Sequence, residues 1–407
     1  MPVRQHARHA SQRLILQRLR RSGEASRADL ARASGLTNTA IGDIIKQLDK
    51  AGLVRATGKR HAGQRGQPAT MLGLDPRGAF ALGVRLDRSC IETVVTDLAG
   101  GILGQRMHVQ TLPAPDRALE IVSADIDALV GLIPPRRRRR IVGVGVARPY
   151  NLGSWLTELD LPHDLFAPWD RIDFAAALQR RCSLPVFEEN DGNAAAIAEL
   201  FHGHGRNLDD FLFVFIGPAI GGGIVLDGSC LRGATRNAGD LGVIPVPASR
   251  LDSAPRRPGN DILLGRASLN ALARHLRFRG IADRSLEDMP AGGDGEKAVL
   301  EWLDDCVDAL IQPLLAVRAL LDVPTAVIDS DLPPAWIERL IARAGLALAA
   351  AAAEARTPPL LVRGSFGTMA GALGAASVPL FLNFGPADSR RDGSARDRTG
   401  DAHALVT

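Results

Sequence analysis

The sequence predicts a short α+β head of winged helix-turn-helix type followed by a much longer α/β body, and three observations carry that prediction. The first is charge. Residues 1–72 hold 14 Lys and Arg against 4 Asp and Glu, whereas residues 73–407 hold 35 against 41. A small basic head on a mildly acidic body is the pattern of a nucleic-acid reader joined to something else. The second is a set of three short helical patterns before residue 52, closed by a basic, turn-rich stretch. The third is an alternation of strand-like and helix-like segments from residue 79 to about 380, the rhythm of covered α/β sheets.

In the head, Ile15, Leu16 and Leu19 mark one side of a helix over about Ser11–Arg21. Ser26 with Asp29 three residues on is a capping box that opens a second helix, stopped at Gly35. Thr37 is the N-cap of a third, whose Ile41, Ile44, Ile45 and Leu48 form a buried stripe. The opposite face carries Asn38, Thr39, Asp43, Lys46 and Gln47. A turn of only Ser34–Leu36 fits a helix-turn-helix, whose second helix enters the major groove by its first turn. Asn38 and Thr39 are therefore the expected base contacts, since Asn pairs with adenine and Thr meets a thymine methyl. Thr37 and Lys46 flank them. Leu53-Val54-Arg55 then leads into Lys59, Arg60, His61, Gly63, Arg65 and Gly66, a wing whose Lys59, Arg60 and Arg65 are expected on phosphates.

In the body, strands are expected at Phe80–Leu86, Ile91–Asp97, Gly101–Val109 and Ile141–Val146, and again at Phe211–Gly217 and Gly223–Leu226 around a glycine-rich turn. Helices are expected at Pro115–Leu132, Phe174–Cys182, Asn193–Phe201, Ser268–Arg279, Lys297–Leu321 and Pro334–Ala355. Arg136–Arg140 reads first as a solvated loop, with auxiliary DNA contact as the second reading. The expected units are a head over 1–75, a body over 79–383 and a disordered tail over 384–407. Cys90, Cys182, Cys230 and Cys306 are too far apart for a CxxC pair, so neither a zinc knuckle nor a disulfide framework is indicated, and a reducing cytoplasm is expected. The arginine-rich N-terminus is no secretory signal, and Phe211–Leu226 is too short and too broken by glycine to span a membrane.

The head segment Ser26-Arg27-Ala28-Asp29-Leu30-Ala31, Gly35-Leu36-Thr37 and Ala51-Gly52-Leu53-Val54, with the wing segment Gly66-Gln67-Pro68-Ala69, resembles that of the ROK family (repressors and sugar kinases). So do Pro168-Trp169, Leu184-Pro185-Val186 and Glu189-Asn190-Asp191-Gly192-Asn193-Ala194-Ala195 in the body. The resemblance continues in Gly217, Gly221–Gly223, Asp227-Gly228, Arg232-Gly233-Ala234 and Ala238-Gly239-Asp240-Leu241-Gly242. The resemblance covers residue 11 to about 380. It implies a two-lobed body of the actin/hexokinase type (ribonuclease H-like), a sugar site between the lobes and a homodimer or homotetramer. It places Asn190, Asp191, Asp240 and Trp169 as effector-binding candidates, with Asp191 at the position of a kinase's catalytic base.

A sugar kinase also needs donors that cradle phosphates. At the positions the resemblance assigns to them stand Asp87-Arg88-Ser89 instead of two glycines, Gly217-Pro218-Ala219, and the acidic Asp329-Ser330-Asp331. Glycine amides that approach an anion are replaced, and Pro218 has no N–H. Each lost donor costs roughly 3–4 kcal/mol at a developing charge. The zinc site of the family is also missing: Val243 stands at its histidine, and residues 248–265 hold no cysteine. The expectation is a cytoplasmic transcription regulator without cofactor or metal. It binds a double-stranded DNA operator and responds to a sugar or sugar-phosphate effector. The alternatives are an ATP-dependent sugar kinase with a DNA-binding head, and a regulator without a small ligand.

Overall fold

A computed structural model describes residues 10–386, apart from 61–67, 154–155, 157–160, 162–165, 257, 282–285, 288, 290–291 and 353–356. Arg65, the last residues of the helix expected at 334–355 and most of the expected tail lie outside the described residues. The head runs α1 (Ala10–Ser22), β1 (Glu24–Ser26), α2 (Arg27–Ser34), α3 (Asn38–Ala51), β2 (Val54–Arg60) and β3 (Ala69–Leu74). The capping box forms as the sequence predicts: Asp29 N–H donates to Ser26 Oγ at 3.2 Å, and Ser26 N–H donates back to Asp29 Oδ2 at 3.1 Å. Gly35 ends α2 at a φ of 69°, a conformation that favours glycine. The three strands form one antiparallel sheet in the order β1-β3-β2, with Ala25 opposite Leu72 and Arg55 opposite Gly73.

The body is two lobes of the same topology. The first lobe holds β4 (Phe80–Asp87), β5 (Cys90–Asp97), β6 (Ile102–Val109), α4 (Pro115–Gly131), β7 (Ile141–Arg148), α5 (Phe174–Arg181), β8 (Val186–Asn190) and α6 (Asp191–His202). The second holds β9 (Phe211–Ile216), β10 (Ile220–Leu226), β11 (Ser229–Leu231), β12 (Pro245–Val246), β13 (Asp261–Ile262), α7 (Leu263–Arg266), α8 (Leu269–Phe278), α9 (Asp294–Leu321), β14 (Thr325–Ser330), α10 (Pro334–Ala351), β15 (Leu360–Arg363) and α11 (Ala370–Phe384). The large sheets read β6-β5-β4-β7-β8 and β11-β10-β9-β14-β15. In each, the first three strands are antiparallel and the last two join in parallel.

Two helices, α6 and α11, pack against each other between the lobes. Alpha11 lies flush on the first sheet because Gly83 and Gly145 lack side chains: a Cβ at either would collide with the backbone of Ala376 or Ala375. Alpha6 approaches the second sheet the same way, with Gly192 against the backbone of Gly222. This corrects the expected glycine-rich turn. Beta10 starts at Ile220, so Gly221–Gly223 are strand residues and the turn is Gly217–Ala219. Gly367–Phe384 is the only described helical stretch long and apolar enough to cross a membrane, and 61% of it is buried inside the protein. Its apolar character is that of a central core helix.

Candidate functional sites: a DNA-reading surface and an interlobe cleft

Alpha3 divides cleanly by face. Ile41, Ile45 and Leu48 are buried, while Asn38, Thr39, Asp43, Lys46 and Lys50 are exposed. Thr37 Oγ1 accepts from Ala40 N–H at 3.2 Å, so this residue starts the helix, and Asn38 and Thr39 follow on its open first turn. Lys46 lies 4.0 Å from Asp43, an exposed pair worth little. Lys59 is exposed on β2. Arg60 differs: its Nη2 donates to Asp29 Oδ2 at 3.0 Å, so it reaches a phosphate only by leaving that carboxylate. The Ser26 hydrogen bonds, helped by Arg32 and Arg60, hold the Asp29 carboxyl down at about 2.

The head is bolted to the body by arginines. Arg20 Nη1 donates to the carbonyls of Leu200 and Phe201 at 2.8 and 2.9 Å, and its guanidinium lies over the Phe201 ring at 5.1 Å. Burial, with Arg21 and Arg206 nearby, pulls the Arg20 guanidinium down to about 10. Arg13 Nη2 donates to Leu382 O at 2.9 Å, Arg21 pairs with Asp209, and Arg140 Nη1 donates to Gly52 O at 3.2 Å. Apolar residues of the head, among them Ile15 and Leu19, join one buried cluster with Phe201, Phe381 and Phe384 of α6 and α11. The last turns of both central helices thus carry α1.

The first turns of the same helices line the other feature, a cleft of about 320 Å³ between the lobes. Asn190 caps α6, its Oδ1 accepting from Asn193 N–H at 3.1 Å. Its Nδ2 donates to Asn237 Oδ1 at 3.4 Å, and Asn237 Nδ2 donates to Asp240 Oδ2 at 2.9 Å. Asp191 is the first residue of α6, two positions earlier than the expected start, and faces Asp87 and Arg88 across the cleft. Burial, and then the Asp87 charge, raise the Asp191 carboxyl, while Gly192 N–H donates to it at 2.9 Å. Burial raises Asp240 as well. Of the expected effector-binding residues, Asn190, Asp191 and Asp240 are brought together here.

Trp169 is not, and its place in that set is corrected. It is completely buried in the first lobe's core, stacked on Phe174 at 5.4 Å, with Nε1 donating to Pro113 O at 3.1 Å. The cleft wall instead contains Tyr150 and Asn237, which the sequence reading passed over. Tyr150 is the single tyrosine of the chain and is half exposed at the cleft. Asn237 stands just before Ala238-Gly239-Asp240, which is the signal that was available.

Arg85, Asp87, Glu92 and Asp331 make a charged corner beside the cleft. Arg85 Nη2 donates to Asp87 Oδ2 at 2.9 Å, and its Nη1 lies 3.8 Å from Glu92. Asp329 is buried and accepts from the amides of Ser330 at 3.0 Å, Phe366 at 3.1 Å and Gly367 at 2.9 Å. The loop ahead of α11 therefore turns its amides onto a carboxylate of the chain itself. Burial, reinforced by Asp87, Asp329 and Glu92 and opposed by Arg85, lifts the Asp331 carboxyl to about 6. A raised carboxyl destabilises the fold when it ionises, so stability from this group is complete below about pH 3.8 and is lost as pH climbs through about 6. Asp331→Asn should therefore raise stability at pH 7 by on the order of 1–2 kcal/mol. Thermal melts from pH 4 to 8 check this: the gain should vanish at the acid end, and a gain equal at both ends would refute it.

Among the described residues, no group of three or more His, Cys, Asp or Glu side chains is placed to hold a metal ion. The loop where the resemblance assigns zinc is held by other means. Arg266 is buried and donates through Nη2 to Asp305 Oδ1 at 2.6 Å and Asp308 Oδ2 at 2.8 Å, and through Nη1 to Pro247 O at 2.8 Å. Ser249 Oγ donates to Asp305 Oδ1 at 2.9 Å, and Ser249 N–H to Asp261 Oδ2 at 3.0 Å. The donors present do not suit zinc.

Known proteins show the same two parts. Residues 81–260 match the ROK family, and residues 8–55 match a winged helix-turn-helix DNA-binding family. The chain is 30% identical to the uncharacterized protein y4fQ of Sinorhizobium fredii over 95% of its own length and 94% of that protein's. It is 25% identical to the xylose repressor of Bacillus subtilis over 58% of the chain and 60% of the repressor. In three dimensions it is similar to a ROK family transcriptional regulator described as a homologue of the E. coli MLC protein. The TM-score is 0.65 at 21% identity, covering 94% of this chain and 98% of that one. A winged head, two lobes of one topology and a match to both families place this chain in the ROK family, on the branch that carries a DNA-binding winged helix-turn-helix.

Proposed function

We propose that the chain is a sequence-specific transcription regulator, a repressor of carbohydrate genes. Its kinase-like body binds a sugar-type effector between the lobes and transfers no phosphoryl group. The observation that carries this reading is a single mechanical path. Asp191 and Gly371, at the first turns of α6 and α11, line the cleft, and Arg20 and Arg13 of the head grip the last turns of the same helices. A ligand that favours one lobe angle shifts where α1 sits, and hence the spacing of paired heads on two half-sites. The relative named as a xylose repressor supports the repressor reading, and the reading includes a cytoplasmic homo-oligomer whose paired heads meet two half-sites.

Asn38→Ala tests the head. On fragments selected from genomic DNA it should weaken operator binding by about 1–3 kcal/mol, roughly 5- to 150-fold, and leave random duplex nearly unchanged. Equal losses on both would remove Asn38 from base reading. The buried, raised Asp191 favours a second reading, a sugar kinase with a fused head, because a carboxyl held this way is suited to act as a base. Against it stand the Asp329 carboxylate on the loop amides, Asp331 and Pro218. An ADP-release assay over a panel of sugars decides between the two. No turnover is expected, and turnover abolished by Asp191→Ala would reverse the ranking.

A further inference from the structure

Five consecutive arginines form a feature that the regulator reading leaves unused. Pro135–Arg140 is a turn of 3-10 helix rather than a free loop, and its arginines divide into two kinds. Arg138 and Arg140 are structural. Arg138 Nε donates to Ile133 O at 3.0 Å, and Arg140 Nη1 donates to Gly52 O at 3.2 Å, with Arg77 O and Gly78 O at 3.3 and 3.4 Å. Arg136 and Arg139 are exposed and Arg137 is half-buried, and among the described residues their side chains make no hydrogen bond or ion pair.

Gly52 is the C-cap of α3. Arg140 therefore fixes the turn against the far end of the helix whose first turn carries Asn38 and Thr39. A 14-residue helix is about 20 Å long, roughly the width of a duplex. Along its open face Lys46 and Lys50 lead from those residues toward the turn, and exposed Arg55, the second residue of β2, follows Gly52 by three positions. The turn thus prolongs the DNA-reading surface with cations. Duplex DNA offers one phosphate charge per about 1.7 Å of axis, so a cationic strip of this length meets several.

We propose that Arg136, Arg137 and Arg139 are a second DNA-contact site, carried by the body, that binds backbone phosphates flanking the bases read by α3. This rests on the DNA-binding reading of the head. The bound chemistry is the phosphodiester backbone, so the site adds affinity without sequence preference. It also makes the body part of the DNA interface, so the lobe that lines the effector cleft touches the operator directly.

The test uses the full chain and a random-sequence duplex of roughly 40 base pairs, four helical turns. Binding is measured from low to moderate salt for wild type, for R136A/R137A/R139A and for R250A/R256A/K297A, which removes three exposed second-lobe cations and so the same net charge. The arginine-turn variant should bind roughly tenfold more weakly at moderate salt, and its log–log salt slope should fall by about 1–3, near 0.9 per lost phosphate contact. The second-lobe variant should match wild type. An unchanged slope in the first variant, or equal losses in both, would overturn the proposal and leave the turn as a solvated face or a site for an acidic protein. Arg137→Glu alone, with a circular-dichroism melt to verify folding, should lose at least one contact's worth of slope. Failure of the head reading looks different: Asn38→Ala would then leave operator preference intact whatever the turn does.

Discussion

Replacing Arg266 with leucine is expected to destabilise the protein by about 3–5 kcal/mol, the largest effect of any single change considered. The guanidinium is almost fully buried and satisfies Asp305, Asp308 and the Pro247 carbonyl together. Leucine fills part of the volume but leaves Asp305, itself buried, as an uncompensated charge. The loop from Pro247 to Asp261 loses its anchor at the same time, since Ser249 is held through Asp305. Chemical denaturation measures the loss, and a value under about 1 kcal/mol would contradict the account. The double variant Arg266→Leu/Asp305→Leu should recover most of it, because removing both partners strands no charge. EDTA should leave the wild-type melting temperature where it is, since this network does the work that the resemblance assigns to zinc. A chelator-dependent fall would show that a metal holds the loop after all.

Arg20→Ala is expected to cost about 2–4 kcal/mol of head-to-body docking. Two charge-assisted hydrogen bonds to the end of α6 are lost, together with the stacking on Phe201. The carbonyls of Leu200 and Phe201 close α6 and have no further helical partner, so their loss is felt locally. The functional consequence is more informative than the stability change. If α6 carries the effector signal, the variant should still bind operator through its own α3 surface, but release by sugar should be blunted. Limited proteolysis between residues 75 and 79 should quicken, and operator titrations over a sugar panel should show a smaller shift in midpoint than wild type. An undiminished shift would mean that the signal travels by another route, such as Arg13 on α11 or the Arg140 contact with Gly52.

Much of the head was legible because its determinants are local. Ser26 and Asp29 are three residues apart, Thr37 and Ala40 likewise, and the Ile41–Leu48 stripe follows from helical period alone. The body strands and helices that the sequence predicts were legible for the same reason, but β8, β14, β15 and the central helix α11 were not among them. Two misreadings have a clear physical cause. Gly221–Gly223 looked like a turn, since glycine disfavours strands, yet packing of α6 on β10 requires bare backbone there. Trp169 followed a family motif into the effector set, whereas its bulk and indole N–H found a core position and the Pro113 carbonyl.

What the sequence determined by itself was therefore the kind of parts: a basic reading head and an α/β body, to which the family resemblance added the two lobes. Those properties reside in residue type and short spacing, and the chain carries them before it folds. What only the tertiary structure decided was how the parts meet. Arg20, Arg13 and Arg140 are ordinary surface cations in the sequence, and each finds carbonyls between 60 and 370 residues away. Asn237 and Tyr150 join the cleft only when the two lobes close on it. Such pairings arise because buried backbone carbonyls at helix ends must find donors, and the donors that reach them are set by packing across the whole chain.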